Sequence, residues 1–149
     1  MNPRLLLLLA ALSLLSPAHA QPACPWLTEG TAAAALDAPV TITTNLLPSG
    51  DGTCTFTTQQ TPTPSRLEIT VATSAPQACP PSSKHLPGIG NEALTCTLPG
   101  PSSETTDLIT ARVRNRYFTL RLTLPTASSP TARQSLAEQI AEQVAGNLY

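Results

Sequence analysis

Residues 108–124, LITARVRNRYFTLRLTL, constrain the fold more than any other part of this chain. Apolar and polar side chains alternate along both halves, the pattern of strands with one buried face. Asn115, near the middle, tolerates the positive φ of a tight turn. With Asn115 and Arg116 at the turn, one face of the hairpin carries Ile109, Ala111, Val113, Phe118, Leu120, Leu122 and Leu124. The other carries Thr110, Arg112, Arg114, Tyr117, Thr119, Arg121 and Thr123. The first face is expected to be core and the second solvent. A one-residue slip would bury several arginines, so the register is well specified.

Residues 1–20 have the form of a targeting segment. Arg4 supplies a positive start, residues 5–15 are an apolar run, and Ala18-His19-Ala20 is a small-residue cleavage site. The run is shorter than the roughly 20 residues a bilayer-spanning helix needs. No later run is longer, so no transmembrane segment is expected. Cleavage near Ala20 leaves residues 21–149, the size of a single domain, in the periplasm or outside the cell. Losing Arg4 lowers Lys+Arg from 8 to 7 against 9 acids, which takes the net charge from −1 to −2. That balance argues against nucleic acid as a partner.

All four cysteines, Cys24, Cys54, Cys79 and Cys96, fall in the exported part. An even count in an exported domain implies disulfides. Three connectivities are possible, and joining near neighbours favours Cys24–Cys54 with Cys79–Cys96. There is no C-x-x-C, and His85 is the only histidine after the leader, so no metal site is expected.

Helices are expected at both ends. At residues 26–37, Thr28 is an N-cap, Glu29 suits the positive end of the helix dipole, and Pro39 stops the helix. Leu27, Ala34 and Leu36 are its candidate core residues, and Trp26 should cover the first disulfide. Near the other end, Ser129 caps and Pro130 occupies the first helical position. Leu136, Ile140, Val144 and Leu148 then form an apolar stripe flanked by Ala137, Ala141 and Ala145. Between these helices, strands are expected at 40–46, 53–58, 66–73 and 91–98. Residues 74–90 hold Pro76, Pro80, Pro81 and Pro87, which exclude a regular helix or a central strand. The fold class is therefore α+β: an antiparallel sheet covered by a short N-terminal helix and a C-terminal amphipathic helix, with two disulfides.

Enzymatic chemistry has little to stand on. A histidine-dependent nucleophile would need His85, which lies in the proline-rich loop. The acids fall in expected turns or on outward faces, with Glu92, beside the Gly88-Ile89-Gly90 loop, as the exception. That lone G-x-G lacks the rest of a dinucleotide fingerprint and fits tight-turn glycines better. Trp26, Phe56, Tyr117, Phe118 and Tyr149 are too few for a base-stacking platform. No catalytic residue, metal or cofactor is assigned.

Several short motifs carry a resemblance. Cys24-Pro25-Trp26-Leu27-Thr28 precedes the first helix, Gly52-Thr53-Cys54-Thr55-Phe56 opens a strand, and Gly88-Ile89-Gly90-Asn91-Glu92-Ala93 forms a glycine loop. In this order, ahead of a hairpin and a C-terminal helix, they resemble a family of small cell-envelope proteins best known as actinobacterial lipoproteins of unknown function. The resemblance implies an α+β fold and an envelope location, and no particular activity. This chain departs from it before Cys24, where Gln21-Pro22-Ala23 lacks the leucine of a lipid-attachment signal. A product without a lipid anchor is expected.

One surface feature rises above the rest. Arg112, Arg114 and Arg121 project from one hairpin face with Tyr117 among them and Arg116 at the tip, and arginine offers bidentate contacts to carboxylate or phosphate. The expected function is a non-enzymatic interaction module of the cell envelope that meets an anionic protein, lipid or glycan. Arginines on a sheet also serve simply to discourage edge pairing. The alternative is a secreted inhibitor that acts through the disulfide-held loop 74–90.

Overall fold

In the computed structural model, which describes residues 23–60, 62–76, 79–80, 83–100, 104–125 and 128–149, the arginine-bearing stretch lies at the centre of a seven-stranded antiparallel sheet. The leader expected over 1–20 lies outside the described residues. The strands are β1 (Val40–Leu46), β2 (Gly52–Thr58), β3 (Arg66–Ala72), β4 (Lys84–His85), β5 (Glu92–Pro99), β6 (Glu104–Val113) and β7 (Arg116–Pro125). Their spatial order is β1-β2-β3-β7-β6-β5-β4. Two meanders therefore meet where β7 lies along β3. There Leu67, Ile69 and Val71 pair with Leu122, Leu120 and Phe118, and all six are buried. At roughly 1.5–3 kcal/mol for each such side chain, this seam dominates the core. β4 is a short edge strand inside the proline-rich stretch, the one kind of strand position that prolines tolerate.

The hairpin turn sits one residue earlier than the sequence suggests. Val113 pairs with Arg116, so Arg114 and Asn115 form the turn. The cause is two side-chain anchors. Asn91 Oδ1 accepts the Arg114 N–H at 2.6 Å, which holds Arg114 at φ +56. Arg116, back in the strand, donates to Ser49 O at 2.6 Å and Gly50 O at 2.7 Å in the β1–β2 turn. Moving the turn by one residue shifts the pairing by two, so inward and outward faces are preserved. The expected apolar face is the observed core. Gly90 lets the chain pass close under this turn, because a Cβ there would stand 2.5 Å from Arg112 O.

Both helices cover the same sheet face. Helix α1 (Glu29–Ala35) is capped by Thr28, whose Oγ1 accepts from Thr31 N at 3.1 Å. It buries Ala32, with Leu27 and Leu36 at its ends, while Ala34, expected inward, is exposed. Ala32 and Leu36 are four residues apart and share a helix face, which Ala34 does not. Helix α2 (Pro130–Leu148) begins with proline as expected, but the Ser129 side chain makes no capping bond. Ala137, Ala141 and Ala145 are buried beside Ile140 and Val144, whereas Leu136 and Leu148 are only partly buried. The helix thus turns its small residues to the sheet, where they allow close packing.

The disulfides are Cys24–Cys54 and Cys79–Cys96. Cys24–Cys54 fastens the N-terminal segment to the core, in the same buried cluster as Trp26. Asn147 Nδ2 donates to Trp26 O at 2.9 Å, which ties the end of α2 to that segment.

Candidate functional site

The sheet face opposite the helices carries Thr106, Leu108, Thr110 and Arg112 from β6, set against Thr123, Arg121, Thr119 and Tyr117 from β7. Reading the hairpin as a strand pair makes this face solvent. Part of it is covered: Leu108 is 4% exposed and Thr110 is 8% exposed. The cover is the connection from β3 to β4. Its Cys79 is disulfide-bonded to Cys96, the strand neighbour of Leu108. The Cys79 Sγ lies 3.9 Å from Leu108 O. Where the connection leaves β3, Ala75 and Pro76 stand over the hairpin and close one side of an open cleft of about 150 Å³. Leu94, Thr110, Arg112, Tyr117 and Glu92 line the rest. The loop 74–90 and the arginine face, separate features in the sequence, therefore meet in one place. Residues 77, 78, 81 and 82 of that loop lie outside the described residues.

The five residues expected to act together separate into four positions. Arg112 and Tyr117 are cross-strand neighbours at the cleft. Arg121 lies four residues further along β7, about 13 Å from Tyr117. It stands beside Glu68 and Arg66, which are themselves paired at 2.7 Å. Arg114 leaves the strand face at the turn, and its guanidinium sits 5.3 Å from the centre of the Tyr149 ring at the end of α2. Arg116 points to the helix side, where it is bonded to the β1–β2 turn and lies 3.6 Å from Asp51. Its guanidinium is the ion-pair partner of Asp51 Oδ1, which is buried and, among the described residues, has no hydrogen bond. Asp107, which could have neutralised the hairpin arginines, faces the core and pairs with Arg133 of α2.

Arg112 is the unpaired hairpin arginine that has an apolar wall beside it; Arg121, also unpaired among the described residues, sits among Arg66, Glu68 and threonines. Arg112 is exposed and, among the described residues, makes no ion pair or side-chain hydrogen bond. A guanidinium beside a phenol and above an apolar floor can grip a carboxylate through two parallel hydrogen bonds. Glu92 is directly across from Arg112 in the sheet, so the cleft carries one charge of each sign. A second negative charge on a ligand would meet Glu92 unfavourably. The cavity is far below the roughly 300 Å³ of a small-molecule pocket, so it fits one side chain or one terminal group. Among the described residues, no group of three or more His, Cys, Asp or Glu is placed to hold a metal ion. No helix among them is long and apolar enough to cross a membrane.

Together the fold and site define a disulfide-fastened α+β sheet domain with a small amphipathic cleft on the open sheet face. No protein-family model matches the chain, and no curated protein matches it.

The contribution of Ala75, Pro76 and Leu94, and the burial of Thr110, are absent from the alternation of the hairpin alone. One signal for it exists. Residues 92–98 have Ala93 and Thr95 on one face, but Leu94, Cys96 and Leu98 on the other. A strand with apolar residues on both faces needs cover on both.

Proposed function

We propose that this protein is an exported, non-enzymatic binding module of the cell envelope, and that its contact point is the cleft between Arg112, Tyr117 and Pro76. The ligand group is a single carboxylate presented by an envelope protein or an acidic glycan. One observation carries this reading: of the two exposed hairpin arginines without an ion pair or side-chain hydrogen bond among the described residues, Arg112 and Arg121, Arg112 is the one set against an apolar wall, formed by Ala75, Pro76 and Leu94, whereas the cleft at Arg121 is lined by Arg66, Glu68 and threonines. The adjacent Glu92 favours a monoanion over a doubly charged group such as a phosphate monoester. Export is supported by the form of residues 1–20 and by two disulfides, which persist in oxidising compartments. The motifs that resemble actinobacterial envelope lipoproteins support the same location.

The test is capture from an envelope extract by immobilised, oxidised protein at low salt and at about 0.5 M salt, where the Debye length falls to a few Å. Arg112→Ala should lose the partner and Arg121→Ala should keep it. A charged hydrogen-bonded contact is worth about 1.5–3 kcal/mol, or roughly 10- to 100-fold in affinity. Equal retention by both variants would overturn the assignment to Arg112. The inhibitor alternative shares this surface, because Ala75 and Pro76 form one wall. It calls for capture that survives high salt and fails when the 80–87 loop is shortened.

A further inference from the structure

We propose that the open sheet face carries a second subsite at Arg121, and that the two subsites together hold a linear acidic polysaccharide with one carboxylate per repeat and free ring hydroxyls between. The inference rests on the Arg112 reading and adds to it the class of partner and the line that partner takes across the sheet.

The second subsite is an open cleft of about 300 Å³ lined by Arg66, Glu68, Thr106, Arg121 and Thr123. It shares a strand and a sheet face with the Arg112 cleft, because Tyr117 and Arg121 are four residues apart along β7 and side chains alternate. That separation is about 13 Å. Between the two clefts the face carries Thr119 of β7 and its β3 neighbour Thr70, both partly exposed. On the β6 side the track is bordered by the β3–β4 connection, beneath which Leu108, the strand neighbour of Arg121, is buried. A polar track with a wall on one side thus runs from one cleft to the other.

The two subsites repeat one arrangement. Glu92 is directly across from Arg112, and Glu68 is directly across from Arg121. Each pair sets a donor-only guanidinium beside an acceptor-only carboxylate, with the Tyr117 phenol added at one end and the Thr123 hydroxyl at the other. An acidic sugar matches this set. Its carboxylate takes the guanidinium, and its ring hydroxyls donate to the glutamate and exchange hydrogen bonds with the threonines. The threonine hydroxyls are held in place beforehand, Thr53 to Thr70 at 3.1 Å and Thr106 to Thr123 at 2.9 Å. A polymer with a charge on every unit would meet the glutamates as well as the arginines, so the pattern selects sparse charge. A peptide strand fits less well. β7 lies between β3 and β6 with its backbone paired to both, so it offers no edge for main-chain hydrogen bonds. Arg121 has no apolar wall and holds a lone carboxylate weakly. It acts once the chain is anchored at Arg112, which gives the linked group a high effective concentration.

The test is calorimetric titration of the exported, oxidised protein with hyaluronan fragments, which carry one carboxylate per disaccharide. The probes are the disaccharide, the hexasaccharide and the carboxyl-reduced hexasaccharide. The hexasaccharide should bind at least about tenfold tighter than the disaccharide, because linkage makes the second contact intramolecular. Arg121→Ala should erase that gain and leave the disaccharide affinity unchanged. Arg112→Ala should lose both ligands, and the carboxyl-reduced fragment should not bind. Both arginines are exposed, so circular dichroism and thermal midpoints of the variants should match wild type. A hexasaccharide no tighter than the disaccharide, or a gain that survives Arg121→Ala, would overturn the second subsite and leave the Arg112 cleft standing. An extended peptide with two glutamates four residues apart that binds as tightly as the hexasaccharide would overturn the choice of a sugar chain. Failure of every carboxylate ligand at Arg112 would overturn this inference together with the reading beneath it.

Discussion

Arg133→Met isolates the ion pair that fastens α2 to the sheet. Arg133 Nε lies 3.1 Å from Asp107 Oδ2, and its Nη1 donates to Ser128 O at 2.8 Å. The other Asp107 oxygen accepts from Thr97 Oγ1 at 2.7 Å. Asp107 is 1% exposed and Arg133 is 6% exposed. Methionine keeps most of the apolar stem and removes the charge, so the loss is chiefly electrostatic. Asp107 is left as a buried carboxylate with one hydrogen bond, at a cost of about 3–5 kcal/mol. Total stability for a domain is about 5–15 kcal/mol, so about a fifth or more of it would go. Restoring shape without charge should reverse the effect. Asp107→Leu combined with Arg133→Met should return to within about 1 kcal/mol of wild type, because a well-packed apolar pair replaces a buried ion pair at little cost. Thr97 is exposed and can turn its hydroxyl to water. The assay is urea unfolding with disulfides intact, with midpoints compared at equal slope. A single-variant loss below about 1 kcal/mol, or a double variant no better than the sum of the singles, would refute the assignment.

Three further perturbations have defined outcomes. Arg116→Met removes two charged hydrogen bonds to the β1–β2 turn and the cation nearest to Asp51. It should cost about 1.5–3 kcal/mol by urea unfolding and speed amide exchange at Leu47 and Gly50. Asn91→Ala deprives the Arg114 N–H of its acceptor and should cost about 1 kcal/mol, with loss of exchange protection confined to residues 112–116. Removing Cys79–Cys96 as a double serine variant frees a loop with sequence separation 17. It should cost about 3 kcal/mol by thermal unfolding on the loop-entropy model, and weaken partner capture by releasing the Pro76 wall.

Much of the fold was legible because its signals are local. Alternation marked the strands, Thr28 and Pro130 marked the helix starts, and cysteine spacing favoured the observed pairing. Non-local relations were not legible. Arg116 leaves the turn because a backbone turn 66 residues earlier offers it carbonyl groups. Arg133 is buried because Asp107 waits beneath the helix, and neither residue advertises the other in sequence. The cleft depends on which side of the sheet the 74–90 connection crosses, a choice the alternation in the hairpin does not encode. The double-sided apolar pattern of β5 recorded it indirectly.

The most direct test of the Arg112 cleft is an NMR titration of nitrogen-15-labelled, oxidised protein with a short peptide bearing a single carboxylate side chain, and with the same peptide as its amide. The carboxylate should shift the Arg112 Nε–H together with the amides of Ala75, Thr110 and Tyr117. The amide form should not, and Arg112→Ala should abolish the response. Shifts that centre on Arg121 or on the β1 edge, or that persist unchanged in Arg112→Ala, would contradict a binding module working through this cleft.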